Sequence, residues 1–379
     1  MEVANRLNTL EEYYFSTKLK EVRALQASGK PIINLGIGSP DLEPPKEVVS
    51  ALINSLYDRT ANKYQSYQGL LELRQGIRDF YTTHFNVTLN PETEVLPLMG
   101  SKEGILHISM AFLNKGDEVL IPNPGYPTYF SVTKLVEAEA VFYNLEATNN
   151  WFPDLDALEL RDLSKVKLMW VNYPNMPTGA KASKQQLNAL VAFAKKHNIL
   201  LVNDNPYSLI LNDAPLSLLS VNGAKEVCLE LNSLSKTFNL AGWRVGMVLG
   251  SESHINAILN MKSNMDSGMF YGIQKGAIKA LEVSNDWFET LNAEYKKRRE
   301  AVWELAECLG CTFNKEASGL FVWAKLPEGL DSETVINTLL IEKDIFIAPG
   351  FIFGSQGDGY IRLSLCAPLE DIQTAINRI

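Results

Sequence analysis

The chain has 379 residues, enough for two domains or one large domain with an appendage, and its 46% hydrophobic and 21% charged residues are those of an ordinary globular protein. A net charge of -9 disfavours nucleic acid, which selects a basic face. No apolar run reaches the length of a membrane span and the N-terminus lacks an apolar signal core, so a cytoplasmic protein is expected.

Residues 1 to 30 read as a polar, amphipathic arm that packs on another element or another subunit. Ser101 stands before the helical apolar run Ile105, Leu106, Ile108 and Phe112. Short apolar strands are predicted at 118–122, 166–171, 199–203, 226–231 and 245–249. Ser183 and Gln186 form a capping box that opens a helix running to about His197. Strands alternating with helices imply a mainly parallel sheet covered on both faces. From Asn285 the pattern changes to a long helix, Asp286 to about Leu309, leading into strands at 319–324 and 360–365. Helices are predicted from Asp331 to about Lys343 and from Pro368 onward. The expected division is an arm with part of a small domain (1–45), a large domain (46–284) and a small C-terminal domain (285–379). Cys308 and Cys311 form a lone C-x-x-C without a second pair at zinc spacing, and the four histidines show no ligand pattern, so no metal is expected.

The most informative stretch is Ser233-Leu-Ser235-Lys236, followed by Gly242-Trp-Arg244-Val-Gly246. It gathers an amine nucleophile, two hydroxyls and a guanidinium. Such a set suits a cofactor bearing an aldehyde and a phosphate: Lys236 forms a Schiff base while Ser233, Ser235 and Arg244 hold the dianion. Pyridoxal phosphate fits both halves. Its ring nitrogen stays protonated beside a buried carboxylate, and Asp204, ending the strand at 199–203, is the candidate. An Asx-turn that merely ends the strand is the other reading. Gly100 and Ser101 open a helix whose free amides, Lys102 included, suit a phosphate, or else form a simple N-cap. Tyr126 follows a strand end and suits stacking on a flat ring. Asn175 and Tyr207 suit a phenolic oxygen. Arg362, in an otherwise apolar strand, suits a substrate carboxylate or a structural salt bridge.

Taken in order along the chain, these motifs resemble the class I/II aminotransferases, pyridoxal-phosphate enzymes of fold type I. The resemblance runs from Ile33-Asn-Leu-Gly36-Ile-Gly38-Ser-Pro-Asp41 to Arg362, with Ser-x-Ser-Lys-x-x-x-x-x-Gly-x-Arg-x-Gly and Asn-Tyr-Pro-Asn-x-Pro-Thr-Gly its most specific parts. It implies an α/β fold: a large domain with a mainly parallel seven-stranded sheet between helices, plus a smaller α+β domain. It implies ping-pong amino transfer in a homodimer with shared sites, Lys236 being both Schiff base and proton shuttle. Tyr64 would reach the neighbouring subunit's phosphate, Gly38 would line the substrate entrance, and Tyr13 would lie near the substrate. The branch resembled holds LL-diaminopimelate and alanine-type aminotransferases, but Tyr271 stands where the diaminopimelate enzymes use an asparagine for substrate. Two alternatives remain at this stage: a lyase or decarboxylase on the same scaffold, and a non-catalytic binding or regulatory protein that keeps the fold.

Overall fold

A computed structural model describes residues 2–8 and 14–379; Tyr13 lies outside the described residues. The described chain runs through α1 (Tyr14–Ala27), β1 (Ile33–Asn34), α2 (Lys46–Ser55), α3 (Leu71–Phe85), β2 (Val95–Leu98), α4 (Ser101–Phe112), β3 (Glu118–Asn123), α5 (Pro127–Leu135) and β4 (Glu139–Asn144). It continues with α6 (Leu155–Glu159), β5 (Val166–Val171), α7 (Lys184–His197), β6 (Leu200–Asp204), β7 (Cys228–Ser233), α8 (Leu234–Thr237), β8 (Gly246–Leu249), α9 (Glu252–Ser263) and α10 (Tyr271–Leu281). The last elements are α11 (Asn285–Cys308), β9 (Thr312–Phe313), β10 (Phe321–Lys325), α12 (Ser332–Glu342), β11 (Ile345–Phe346), β12 (Ala348–Pro349), β13 (Tyr360–Ser364) and α13 (Leu369–Arg378).

Seven strands form one sheet in the order β2-β8-β7-β6-β5-β3-β4, with β8 antiparallel to both of its neighbours and the other pairs parallel. Buried on both faces, β6 and β7 are hidden along their whole length, as central parallel strands require. Successive side chains alternate between two cores. Leu120 joins Ile77, Phe80 and Leu201 on one face, whereas Val119 and Ile121 join Ile105, Ile108 and Val202 on the other. A second, antiparallel sheet, β12-β13-β10-β9, packs with α11 in a third core around Tyr295, Val302, Leu305 and Ile361. The α/β reading with a mainly parallel seven-stranded sheet therefore holds.

Several expected boundaries move. The strand expected at 226–231 begins at Cys228, because Ala224–Glu226 forms a 3-10 turn after Gly223 at φ 72°, and it runs on to Ser233 through pairing with β8. Likewise β6 spans Leu200–Asp204, one residue later than expected. Ser101 is not a cap: Gly100 holds the N-cap position at φ 90°, and Ser101 is the first helical residue. The capping box at Ser183 and Gln186 forms as expected, with both hydrogen bonds made. The arm packs within the chain, α1 placing Val22 against Leu340 and Phe346 while Lys18 reaches Asn337 at 2.8 Å.

Candidate active site

A cavity of about 370 Å³ opens at the C-terminal ends of β5, β6 and β7, the edge of an α/β sheet where ligands bind. Gly38, Ser101, Lys102, Tyr126, Asp204, Tyr207, Ser233, Ser235, Lys236, Arg244 and Arg362 all line it. Asn175 is buried beside Met176, which also lines it. Tyr64 lies outside the cavity and is 91% exposed.

One end of the cavity suits an anion. The amides at the start of α4 have no side-chain cap, so they remain available, and the helix dipole puts its positive end there. Arg244, itself at φ 57°, packs so closely on Gly100 that a Cβ at that glycine would collide with its Nη2. Its Nη1 donates to Ala241 O at 3.0 Å. Ser233 caps α8, accepting from Ser235 N at 3.1 Å and donating to Ser235 Oγ at 2.7 Å. A guanidinium, two hydroxyls and a free helix start together match a phosphate dianion.

The middle suits a protonated heteroaromatic ring. Asp204 ends β6 and is 5% exposed. Its Oδ2 accepts from Tyr129 at 2.9 Å, while its buried Oδ1 has no hydrogen-bond partner. Burial raises this carboxyl from 3.8 to about 6, with the Tyr129 bond pulling the other way. Tyr129 stacks on Trp170 at 4.9 Å and meets Tyr126 edge-on at 5.6 Å, which fixes both tyrosines. Asn172 holds the backbone, donating to Asp204 O and accepting from Met176 N at 2.6 Å. Asn175 Oδ1 takes Thr178 Oγ1 at 2.7 Å, leaving a buried Nδ2 without a partner. Such orphaned atoms cost about 1–3 kcal/mol each unless a ligand or water meets them. An acceptor and a donor in this state fit the ring nitrogen and phenolic oxygen of pyridoxal phosphate.

Lys236 sits between these ends. It is largely buried, and its Nζ donates to Gly38 O. Burial lowers the ammonium pKa; Cys366 opposes this, and the positive charges of Arg362 and Arg244 add to it. Gly38 can approach only because it lacks a side chain, since a Cβ there would collide with Phe321. Arg362 lies between two aromatic faces, Phe321 at 4.0 Å and Phe353 at 4.6 Å, and Nη2 donates to Gly36 O at 2.7 Å. The sequence reading missed Tyr129, Trp170, Asn172, Met176, Phe321 and Phe353. Asn172 and Met176 lay within the Asn-Tyr-Pro-Asn-x-Pro-Thr-Gly motif without a role of their own, and Tyr129 lies one helical turn beyond Tyr126.

The sequence profile of "Aminotransferase class I and II" matches residues 30–379. An LL-diaminopimelate aminotransferase of Natranaerobius thermophilus is 42% identical over 381 residues, covering 100% of this chain and 99% of that protein. The solved structure of BacF from Bacillus subtilis aligns with a TM-score of 0.95 at 36% identity, over 100% of this chain and 98% of that one. An aminotransferase structure from Staphylococcus aureus aligns with a TM-score of 0.90 at 31% identity, over 99% and 98% of the two chains. No helix among the described residues is long and apolar enough to cross a membrane. A lyase, a decarboxylase or a non-catalytic binding protein is not favoured by these findings. The chain belongs to the class I and II aminotransferases and uses pyridoxal phosphate to move an amino group between an amino acid and a 2-oxo acid.

Proposed function

We propose that Lys236 carries the amino transfer, with Asp204, Arg244 and Arg362 fixing the cofactor and substrate around it. Bound pyridoxal phosphate supplies an aldehyde that condenses with amines and a ring that draws electrons from the substrate α-carbon. Ser101, the Lys102 amide, Ser233, Ser235 and Arg244 hold the phosphate. Asp204 Oδ1 holds the proton on the ring nitrogen, Tyr126 stacks on the ring, and Asn175 and Tyr207 donate to the phenolic oxygen. Arg362 grips the substrate α-carboxylate with its fork, screened from water by Phe321 and Phe353. Lys236 Nζ would take the substrate α-proton and return it two bonds away, a 1,3-shift. Its lowered ammonium pKa keeps the neutral amine accessible for that step. The observation carrying this reading is the unpartnered Asp204 Oδ1 sharing one cavity with the desolvated Lys236 amine.

Four further assignments complete the reading. The protein acts in the cytoplasm as a homodimer in which Tyr64, exposed in the single chain, reaches the partner's phosphate. Gly38 stands near the substrate. Residues 46–284 form the cofactor-binding domain, 1–45 the arm with part of the small domain, and 285–379 the small C-terminal domain. LL-diaminopimelate is the donor to which the named relatives point. A panel of amino donors, LL-diaminopimelate included, with 2-oxoglutarate and pyruvate tests the reading. The expected outcome is one new amino acid per 2-oxo acid released. Release of carbon dioxide or a β-substituent instead would overturn it.

A further inference from the structure

Glu103 and His107 stand one turn apart on α4, and α4 packs on α9. Asp266, just beyond α9, meets them there: one oxygen from each acid and an imidazole nitrogen all lie within 4.8 Å of one another. His107 is 1% exposed. Its Nε2 approaches Glu103 Oε1 at 3.1 Å without hydrogen-bonding geometry, and its Nδ1 has no hydrogen-bond partner. Asp266 Oδ2 is buried without a hydrogen bond as well. Lys262 donates to Asp266 Oδ1 at 2.9 Å and to Tyr67 O at 3.0 Å, and stands 2.8 Å from Oδ2. His107, buried in this cluster, thus keeps a ring nitrogen that a folded protein normally meets with water or an ion.

We propose that Glu103, His107 and Asp266 form a divalent-cation site, outside the substrate cavity, that takes Zn²⁺. One imidazole nitrogen and two carboxylate oxygens are a donor set this ion accepts, at about 2.0–2.2 Å, with water in the fourth position. Ligand atoms at that radius around a tetrahedral ion stand about 3.3–3.6 Å apart, so rotamer changes on the order of an ångström close the set. Lys262 offsets only one of the two carboxylates, which leaves the cluster a net negative charge for a cation to meet. The role is structural. Glu103 Oε2 accepts from Met99 N at 2.6 Å, immediately before Gly100 and Ser101, so an ion held by Glu103 stiffens the anion-binding loop from behind.

The test uses holoenzyme stripped with a chelator and reloaded with Zn²⁺ alone. The expected result is equimolar Zn²⁺ retained through gel filtration, a Tm that rises on loading, and loss of both effects in His107→Gln and Asp266→Asn. Co²⁺ in place of Zn²⁺ is expected to show visible ligand-field bands in the wild-type protein, a readout that survives if either variant fails to fold. Failure to retain Zn²⁺, unchanged retention in both variants, or absent Co²⁺ bands would overturn the proposal. A wild-type Tm that Zn²⁺ does not move would equally overturn it.

Discussion

Asp204, the proposed partner of the ring nitrogen, departs from what stability alone selects. Its carboxyl titrates at about 6 when folded, against 3.8 for the free group. Between those values the folded chain still holds a proton that the unfolded chain has released. Its contribution is therefore intact below about pH 4 and declines as pH rises to about 6, by about 3 kcal/mol in the cofactor-free protein. In Asp204→Asn this decline is removed. Thermal melts of both cofactor-free proteins should show the variant gaining on wild type from pH 4 to 6, then a constant gap. The variant should nevertheless lose most turnover, because a neutral amide cannot hold the ring proton. A gap that does not change with pH would contradict the assigned burial, and wild-type turnover would contradict the assigned role.

At the scale of elements, the anion-binding end is made by the β7–α8–β8 segment meeting the start of α4. The first part was legible in the sequence because Ser233, Lys236, Arg244 and Gly246 are close in the chain. The second was legible only as a glycine before a helix. What the sequence lacked was the contact between them, Gly100 lying flat against Arg244. Gly100→Ala puts a side chain at φ 90° and into that guanidinium. It should cost about 1–3 kcal/mol in stability and weaken cofactor binding at least tenfold. Titration of the apo-protein with pyridoxal phosphate checks this, and unchanged affinity would remove the loop from the phosphate site. Local signals elsewhere were read with equal success, as at the Ser183 capping box. Strand β2 escaped because Pro97 interrupts its four residues, as an edge strand permits. Strand β4 escaped because, lying at the other edge, it alternates partly exposed residues with a buried Tyr143.

Across the whole molecule, the site draws on residues that sequence separates widely. Gly38 receives the Lys236 amine across 198 positions, and Gly36 receives Arg362 across 326. The aromatic walls of Arg362, Phe321 and Phe353, carry no local signature, since an apolar residue in a strand reads simply as core. These contacts join the N-terminal segment, β10 and β13 to the edge of the large sheet. The proposed homodimer adds a further requirement. Tyr64→Phe should leave the dimer intact yet raise the cofactor Kd about tenfold, by removing one charge-assisted hydrogen bond. Sedimentation with cofactor titration checks both halves, and a fully active monomer would contradict the shared site. The most direct measurement is amino transfer to 2-oxoglutarate by Lys236→Ala beside wild type, both saturated with pyridoxal phosphate and correctly folded. Turnover in the variant should fall by about 10⁴-fold, with the cofactor still held by Arg244 and Asp204. Turnover near that of wild type would contradict the assignment of Lys236 as the group that moves the proton.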